Sequence, residues 1–276
     1  RGHELTVSAV PVVTTNFKWK MDFTWSRNVN EVVKISDQTD ELTIYSSGRG
    51  VTLVAEEGQP FGTWKSSVPR YSPNGSPIVD ATTGLPTYTD EVQTIGAVQP
   101  DWIGGLVNTI SYKGLSLTAV FDTRQGGEIF SLTQAATEFN GTAMTTAVNN
   151  RDNLVIPNSV VENTDGSFSP NTVAATIFDI TNDGNYGRRV LDGSFIKLRE
   201  LSLGYSIPKK VLKGLKIQNA SVNFFVQNVK FWLPSENTFA DPEVNGPSSI
   251  TSNVTGVETT QTPPSRSFGI NLNITL

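Results

Sequence analysis

The stretch that indicates the fold most clearly is Phe17-Lys18-Trp19-Lys20-Met21-Asp22-Phe23-Thr24-Trp25-Ser26. Its odd-numbered positions carry large apolar side chains, and its even-numbered positions carry polar or charged ones. Successive side chains of a β-strand point to opposite faces, so this period of two predicts a strand with one apolar and one polar face. The stretch is also longer than the strands of about 5–6 residues that are usual in globular proteins.

The same alternation recurs along the chain, and it closes the sequence with five apolar residues on one face. Those residues are Phe268, Ile270, Leu272, Ile274 and Leu276. Near Arg199 and Glu200 the phase of the alternation shifts by one residue, which predicts a β-bulge. The pattern as a whole predicts seven strands, at residues 3–10, 17–27, 102–112, 115–130, 195–206, 217–232 and 265–276.

The connections between these strands alternate strictly between short turns and long loops. The long loops cover residues 28–101, 131–194 and 233–264. An up-and-down antiparallel sheet would place all the short turns at one end and all the long loops at the other, which is typical of outer-membrane β-barrels. Strands of ten or eleven residues, tilted by about 45°, would span about 24 Å, close to the apolar band of roughly 25 Å that such barrels present to lipid.

The apolar face is therefore predicted to contact lipid, and the polar face to line the lumen. The predicted lipid-facing residues are Phe17, Trp19, Met21, Phe23, Trp25, Phe268, Ile270, Leu272, Ile274 and Leu276. The predicted lumen residues, expected to pair with one another or to contact a plug inside the barrel, are Lys18, Lys20, Asp22, Asp122, Arg124, Lys197 and Arg199.

Composition excludes several classes of protein and gives no support to catalysis. The chain has no cysteine, and its single histidine is His3, so thiolate sites and histidine-based triads or metal clusters are not expected. A net charge of -5 argues against a nucleic-acid partner. The segment from Asp179 to Gly184 matches the start of a calcium loop, but position 12 of that loop would be Val190 instead of Glu. We expect no catalytic residue, no metal site and no cofactor.

Seven strands cannot close a barrel, because unpaired strand edges are not tolerated in hydrocarbon. We therefore expect the remaining strands to come from preceding residues or from a companion chain. Two alternatives stay open at this point. One is a soluble, secreted β-sandwich that binds carbohydrate or acts as an adhesin, and the other is a small porin whose eighth strand lies in residues 41–55.

Several motifs resemble the C-terminal third of the SusC/RagA family of TonB-dependent outer-membrane transporters. The run from Ser194 to Pro208 is the most specific, and the similarity extends over essentially the whole chain. The motifs are Asp101-Trp102-Ile103-Gly104-Gly105-Leu106, Phe121 to Phe130, Ser194-Phe195-Ile196-Lys197-Leu198-Arg199-Glu200-Leu201-Ser202-Leu203-Gly204-Tyr205, Gln227-Asn228-Val229, Asp241-Pro242-Glu243-Val244 and Pro264 to Phe268. The terminal Leu276 departs from the aromatic residue that usually ends these proteins.

This resemblance implies a transmembrane β-barrel of about 22 strands with a plugged lumen, of which residues 1–276 would supply about the last seven strands. It also implies import of oligosaccharides or peptides across the outer membrane, a SusD-like surface lipoprotein as partner, and energy from the TonB complex. The signal peptide, the TonB-contacting motif and the plug domain are expected to lie outside this chain, in the N-terminal remainder of the transporter.

Five residues of the long loops are candidates for substrate contact. They are Trp64, Arg70, Tyr71, Tyr88 and Tyr186, which would place aromatic and cationic groups at the extracellular mouth. Aromatic rings there could stack on sugars or peptides. The alternative is that these side chains pack the loops against one another or against the lipoprotein partner.

Overall fold

The computed structural model describes residues 1–243 and 254–276. The strands, in chain order, are β1 (Gly2–Val13), β2 (Phe17–Asn28), β3 (Glu41–Ser46), β4 (Val51–Glu56), β5 (Thr63–Ser66), β6 (Ile78–Val79), β7 (Gln93–Ala97), β8 (Trp102–Tyr112), β9 (Leu115–Gln125), β10 (Glu128–Ser131), β11 (Val160–Glu162), β12 (Phe168–Pro170), β13 (Val190–Asp192), β14 (Phe195–Ser206), β15 (Asn219–Trp232), β16 (Val257–Glu258) and β17 (Ser267–Thr275). The helices are α1 (Leu132–Phe139), α2 (Ile177–Thr181) and α3 (Lys209–Leu212), with 3-10 helices at Met144–Arg151 and Gly187–Arg189. In the ranges described, no helix has the length and apolar character needed to cross a membrane.

The seven longest strands form one sheet, which we call the long sheet. Its spatial order is β1-β2-β8-β9-β14-β15-β17, so the order in space follows the order in the chain. Every neighbouring pair in it is antiparallel. The all-β, antiparallel class predicted from the sequence is confirmed.

The register of the long sheet assembles one continuous apolar face. One row across the sheet shows this: Trp19 pairs with Ile110, Ile110 with Leu117, Leu117 with Leu203, Leu203 with Phe224, and Phe224 with Ile270. Leu203 is 50% exposed and Ile270 is 71% exposed. Asn108 also lies on this face, where its Oδ1 accepts a hydrogen bond of 3.0 Å from Trp19 Nε1. The face is apolar, extended and open to the surroundings.

The predicted strand 115–130 is wrong at its C-terminal end. β9 ends at Gln125, and β10 belongs to a different sheet. Gly126 and Gly127 lie between them with φ of 74° and 76°, in the left-handed region that favours glycine. A Cβ on Gly127 would lie 2.6 Å from the backbone carbonyl oxygen of Val98, so the turn also needs glycine for space. Two successive left-handed residues end the strand and redirect the chain.

Two other sequence predictions have clear outcomes. The bulge near Arg199 is confirmed, because the register of β14 shifts between Leu198 and Glu200 against both of its neighbours. An eighth strand of the long sheet in residues 41–55 is wrong. That segment forms the β3-β4 hairpin of a separate four-stranded sheet, so the small-porin alternative loses its basis.

The long connections fold together into a second region, which we call the loop body. It comprises residues 29–101, 126–194, 233–243 and 254–266. Three small sheets cross-link it, with orders β3-β4-β5-β7, β12-β11-β6 and β13-β10-β16. Two pairings are parallel and join segments far apart in sequence: Val160 with Ile78, and Phe130 with Val257. The connections that the sequence predicted only as long loops are thus parts of one folded unit.

The core of the loop body is built around Trp64 and Phe130, both fully buried. Their ring centroids lie 5.9 Å apart, and Tyr45 meets Trp64 edge-on at 6.4 Å. The other buried members of the cluster are Val51, Leu53, Val254 and Val257. Because these residues come from different connections, burial of their side chains holds the connections together, with roughly 1.5–3 kcal/mol from each large side chain.

No second sheet covers the apolar face of the long sheet in the part of the chain that is described. Its residues stay open, as shown by Leu5 (50%), Phe224 (44%) and Leu272 (63%). A β-sandwich would bury this face against a partner sheet. The β-sandwich alternative is therefore not supported by the structure.

Candidate functional site

The polar face of the long sheet satisfies many of its charged groups internally. Lys20 Nζ lies 2.8 Å from Asp22 Oδ2, and Ser8 Oγ donates to Asp22 Oδ1 at 2.7 Å. Arg124 Nη2 donates to the Val98 carbonyl at 2.6 Å, which ties the end of β9 to the loop body. The mutual pairing expected for lumen residues is present at Lys20 and Asp22.

An ionic cluster joins the long sheet to the third connection. Lys197 is fully buried, and its Nζ lies 2.6 Å from Asp241 Oδ1 and 2.5 Å from Glu243 Oε2. Arg199 donates to Asp122 at 2.7 Å and also contacts Glu243. Buried lysines are rarely found unpaired, so two carboxylates account for this burial. The Asp241-Pro242-Glu243 motif thus meets the Ser194 to Tyr205 motif.

Aromatic rings complete the surroundings of the Lys197 ammonium. Its Nζ lies 3.9 Å from the ring centroid of Phe231 and 4.8 Å from that of Phe195. A cation over an aromatic face is stabilised by the ring quadrupole, more strongly when water is excluded. Strand β14 therefore fastens residues 233–243 with both carboxylates and rings.

A cavity of about 650 Å³ lies beside this cluster, against the first strands of the sheet. Its polar wall includes Thr6, Thr24, Asp122, Arg124 and Glu243. Hydroxyl, carboxylate and guanidinium groups can donate and accept hydrogen bonds, as a hydroxyl-rich or amide-rich ligand requires.

The five predicted contact residues fall into two groups: Trp64 and Tyr186 belong to the core cluster of the loop body, whereas Arg70, Tyr71 and Tyr88 lie on two segments that pair with each other. Trp64 is fully buried in the core of the loop body, and its Nε1 donates to the Glu128 carbonyl at 3.3 Å. A ring with no exposed surface cannot touch a ligand in this conformation. Trp64 thus follows the alternative in which the loops pack against one another.

Tyr186 and Tyr88 are also held by protein groups. The Tyr186 ring stacks near Phe130 and carries the Arg189 guanidinium 3.6 Å from its centroid. Tyr88 donates its hydroxyl to Asp183. Burial, followed by that hydrogen bond, raises the pKa of Tyr88 above its ordinary value. Both rings therefore serve the internal structure of the loop body.

Arg70 and Tyr71 remain accessible. The Arg70 side chain is 40% exposed and pairs with Glu162 at 2.5 Å. Tyr71 is 59% exposed, and its backbone bridges to Pro77. Of the five candidates, Arg70 and Tyr71 are therefore the two whose side chains a ligand could reach from outside.

Sequence reasoning missed a buried charge cluster in the loop body. Glu138 and Arg189 are both fully buried and pair at 3.2 Å, while Arg188 reaches the same carboxylate at 2.8 Å. Gln134 and Thr145 also donate to Glu138. The adjacent arginines at positions 188 and 189 were the only local signal, since Glu138 lies 51 residues from Arg189.

Two further acidic residues have structural roles. Glu128 sits at the junction of the two regions, where burial raises the pKa of its carboxyl even though the Ala97 N–H donates to it at 2.6 Å. Asp179, in the partial calcium loop, hydrogen-bonds to Thr176, the N-cap of α2. Across the described ranges, no group of three or more histidine, aspartate and glutamate side chains is placed to hold a metal ion.

Comparison with known proteins gives sequence relatives. TonB-dependent receptor P26 of Formosa agariphila (strain DSM 15362 / KCTC 12365 / LMG 23005 / KMM 3901 / M-2Alg 35-1) is 26% identical over 303 residues, which cover 100% of this chain and 29% of the relative. TonB-dependent receptor P3 of the same organism is 26% identical over 266 residues, covering 89% and 25%. No family model matches the chain. The chain thus spans less than a third of the length of these relatives.

The chain also superposes on parts of solved structures. The structure of the RagAB peptide transporter superposes with a TM-score of 0.67 at 17% identity, covering 98% of this chain and 28% of that one. The RagAB peptide importer in the open-open state superposes with a TM-score of 0.65 at 18% identity, covering 100% and 28%. Sequence and fold together confirm the similarity to SusC/RagA-type TonB-dependent receptors.

Proposed function

We propose that this chain forms the C-terminal part of the β-barrel of a SusC-like TonB-dependent transporter, which imports oligosaccharides or peptides across the outer membrane. The observation that carries the proposal is the long sheet, whose exposed face is apolar and whose other face is polar and ion-paired. This distribution is inverted relative to a soluble sheet and suits strands set between lipid and an aqueous lumen.

The apolar face is proposed as the lipid-facing surface. It includes Phe17, Trp19, Met21, Phe23, Trp25, Phe268, Ile270, Leu272, Ile274 and Leu276. The eight steps from Phe17 to Trp25 correspond to about 26 Å along a strand, or about 20 Å along the membrane normal at a tilt of about 40°. The whole of β2, from Phe17 to Asn28, rises about 28 Å at the same tilt, which is enough to span an apolar band of roughly 25 Å.

The two edges of the long sheet support a larger assembly. Within the described residues, β1 pairs only with β2 and β17 pairs only with β15. Exposed strand edges would leave backbone N–H and C=O groups unsatisfied in hydrocarbon, at a cost of several kcal/mol for each group. We propose that these edges pair with the N-terminal remainder of a barrel of about 22 strands, which also carries the plug.

The orientation and partners follow from the same proposal. The loop body would face the outside of the cell, in contact with a SusD-like surface lipoprotein, and the short turns would face the periplasm. Energy would come from the TonB complex through the N-terminal remainder. No enzymatic step is proposed for this chain.

Substrate contact is proposed for Arg70 and Tyr71, because their side chains are the most open of the five candidates. The polar cavity beside Asp122 and Arg124 would be a second contact region on the way to the lumen. Both oligosaccharides and peptides offer the hydrogen-bonding groups that these side chains recognise, so both stay within the proposal.

Uptake by whole cells tests this function. Cells that carry the complete receptor should accumulate labelled oligosaccharides or peptides, and a protonophore should abolish the accumulation. Phe224→Lys, on the apolar face, should lower the amount of receptor recovered in the outer membrane, whereas Asn223→Lys, on the polar face of the same strand, should leave it unchanged. Recovery of the complete wild-type receptor in the aqueous fraction would contradict the proposal.

A further inference from the structure

The short turn between β14 and β15 carries a concentration of positive charge. Residues 207–218 include Lys209, Lys210, Lys213 and Lys216, and all four lysines are exposed. No acidic residue occurs between Glu200 and Glu236. The turn is therefore strongly cationic in a chain whose net charge is -5.

These lysines differ from several basic residues of the loop body. Lys65, Arg188 and Arg189 each lie close to a carboxylate. None of the four turn lysines forms an ion pair with a residue in the ranges 1–243 and 254–276. Their charge is thus left for something outside the described chain.

The same turn exposes apolar side chains. Val211 is 63% exposed and Leu215 is 61% exposed, while Leu212 is buried and fixes the turn against the sheet. The Gln218 N–H donates to the Thr275 carbonyl at 2.8 Å, which holds the base of the turn to β17. A fixed segment that combines unpaired lysines with exposed aliphatic residues has the composition of a membrane-interface anchor.

The turn continues directly from the apolar face of the long sheet. Tyr112 and Tyr205 both pair with Leu115, in the last apolar row before the turns. Lys113, in the neighbouring turn, places its Nζ 5.2 Å from the Tyr112 ring centroid. Tyrosines beside lysines at the end of an apolar band are typical of the boundary between hydrocarbon and headgroups.

We propose that residues 207–218 bind the headgroups of anionic phospholipids at the membrane surface on the short-turn side. The four lysines contact the lipid phosphates, and Val211 and Leu215 enter the boundary of the acyl chains. Charge complementarity selects an anionic lipid, and the continuity with the apolar face places the turn at the depth of the headgroups. This inference rests on the proposed function, since it requires the long sheet to be in a membrane.

The test uses the complete receptor, extracted in a non-ionic detergent and titrated with phosphatidylglycerol or phosphatidylcholine, with bound lipid counted by native mass spectrometry. Wild type should retain phosphatidylglycerol about fivefold more than phosphatidylcholine, and added salt should reduce this preference. Lys209→Gln with Lys213→Gln should lower the preference to about twofold. Replacing all four lysines with glutamine should abolish it.

The matched control removes the same charge elsewhere. Lys34→Gln with Arg151→Gln also deletes two exposed positive charges, but in the loop body, and should keep the wild-type preference. Equal retention of both lipids by membrane-extracted wild type would overturn the anchor while leaving the proposed function intact. An equal loss of preference in the control pair would overturn it as well, since the effect would then reflect net charge. Failure of wild type to enter the membrane at all would instead contradict the proposed function.

Discussion

The long sheet and the loop body place their large apolar side chains in opposite environments. In the loop body Trp64, Phe130 and Val51 are fully buried, as in a soluble protein. In the long sheet Leu203, Ile270 and Leu272 are at least half exposed, and the charged Lys197 is among its buried side chains. One chain thus contains a region with a buried apolar core and a region whose apolar side chains are exposed on one face.

The two regions therefore differ in what stabilises them. Burial of aromatic and aliphatic groups against one another holds the loop body together. Each Å² of apolar surface removed from water contributes roughly 25 cal/mol to the free energy of folding. The long sheet is held by its backbone ladder and its ion pairs, and under the proposed function its apolar face is stabilised by the lipid that covers it. Substitutions matched across the two regions should therefore have different effects.

The largest effect is expected for Trp64→Ala. Truncation of this fully buried ring leaves a cavity at the centre of the loop body and should cost about 5 kcal/mol of unfolding free energy. The measurement is the protease resistance and thermal unfolding of the loop body in the complete receptor. Trp25→Ala, which removes the same side chain from the apolar face, is the control and should leave the protease resistance of the loop body unchanged. Equal sensitivity in both variants would erase the distinction between the two regions.

Lys197→Met should come next, at about 3 kcal/mol, because it leaves the buried Asp241 without its nearest cation. The side chain of Asp241 is only 7% exposed, so its lost partner cannot be replaced fully by water. The third connection should then detach and be cleaved faster by protease. Lys20→Met breaks a pair that is 46% and 30% exposed and should cost no more than about 1 kcal/mol.

A charge on the apolar face should cost about 2 kcal/mol. Leu203→Lys places an ammonium group toward the proposed lipid, whereas Asn223→Lys, on the neighbouring strand, directs the same group to the polar face. Folding and insertion yields in phospholipid vesicles measure the difference. If Asn223→Lys were the more damaging of the two, the assignment of the faces would be reversed.

The smallest effect, about 1 kcal/mol, is expected for Tyr88→Phe, which removes the hydrogen bond to Asp183. The pKa of Tyr88 is raised in the folded protein, first by burial and then by Asp183, so the neutral phenol is the form that supports the fold. Its contribution is complete below the ordinary tyrosine pKa of about 10 and is lost as the pH rises above that value. Thermal unfolding should show that Tyr88→Phe loses less stability than wild type between pH 8 and pH 11. The control variant Tyr71→Phe should lose as much stability as wild type.

The long sheet was predictable because its information is local. A period of two over ten residues, as in Phe17 to Ser26, predicts the face of the sheet on which each side chain lies. The strict alternation of short and long connections predicts the order of the strands. The strand predicted at 115–130 ran past its true end because Gly126 and Gly127 leave the alternation only through their left-handed conformation.

The loop body was not predictable in the same way. Its strands are as short as the two residues of β6 and β16, too short for a periodic pattern. Its core joins Trp64 and Phe130 to Val257, so no single window of sequence contains it. Buried charges such as Glu138 and Arg189 look like surface residues until their partners are known. Of the candidate site, mutual pairing of charges on the polar face and packing of loop aromatics against one another were both foreseeable, but which of the five candidates would be buried was not.

The most direct test of the central claim is a spin-label scan of β17 in the complete receptor, reconstituted into lipid bilayers. The chain has no cysteine, so each cysteine introduced from Ile270 to Ile274 is the sole thiol of this part of the receptor. Collision with oxygen, which concentrates in lipid, should be high at Ile270, Leu272 and Ile274, and collision with a water-soluble nickel complex should be higher at Asn271 and Asn273. Absence of this alternation, with all five positions equally open to the nickel complex, would contradict a lipid-facing sheet.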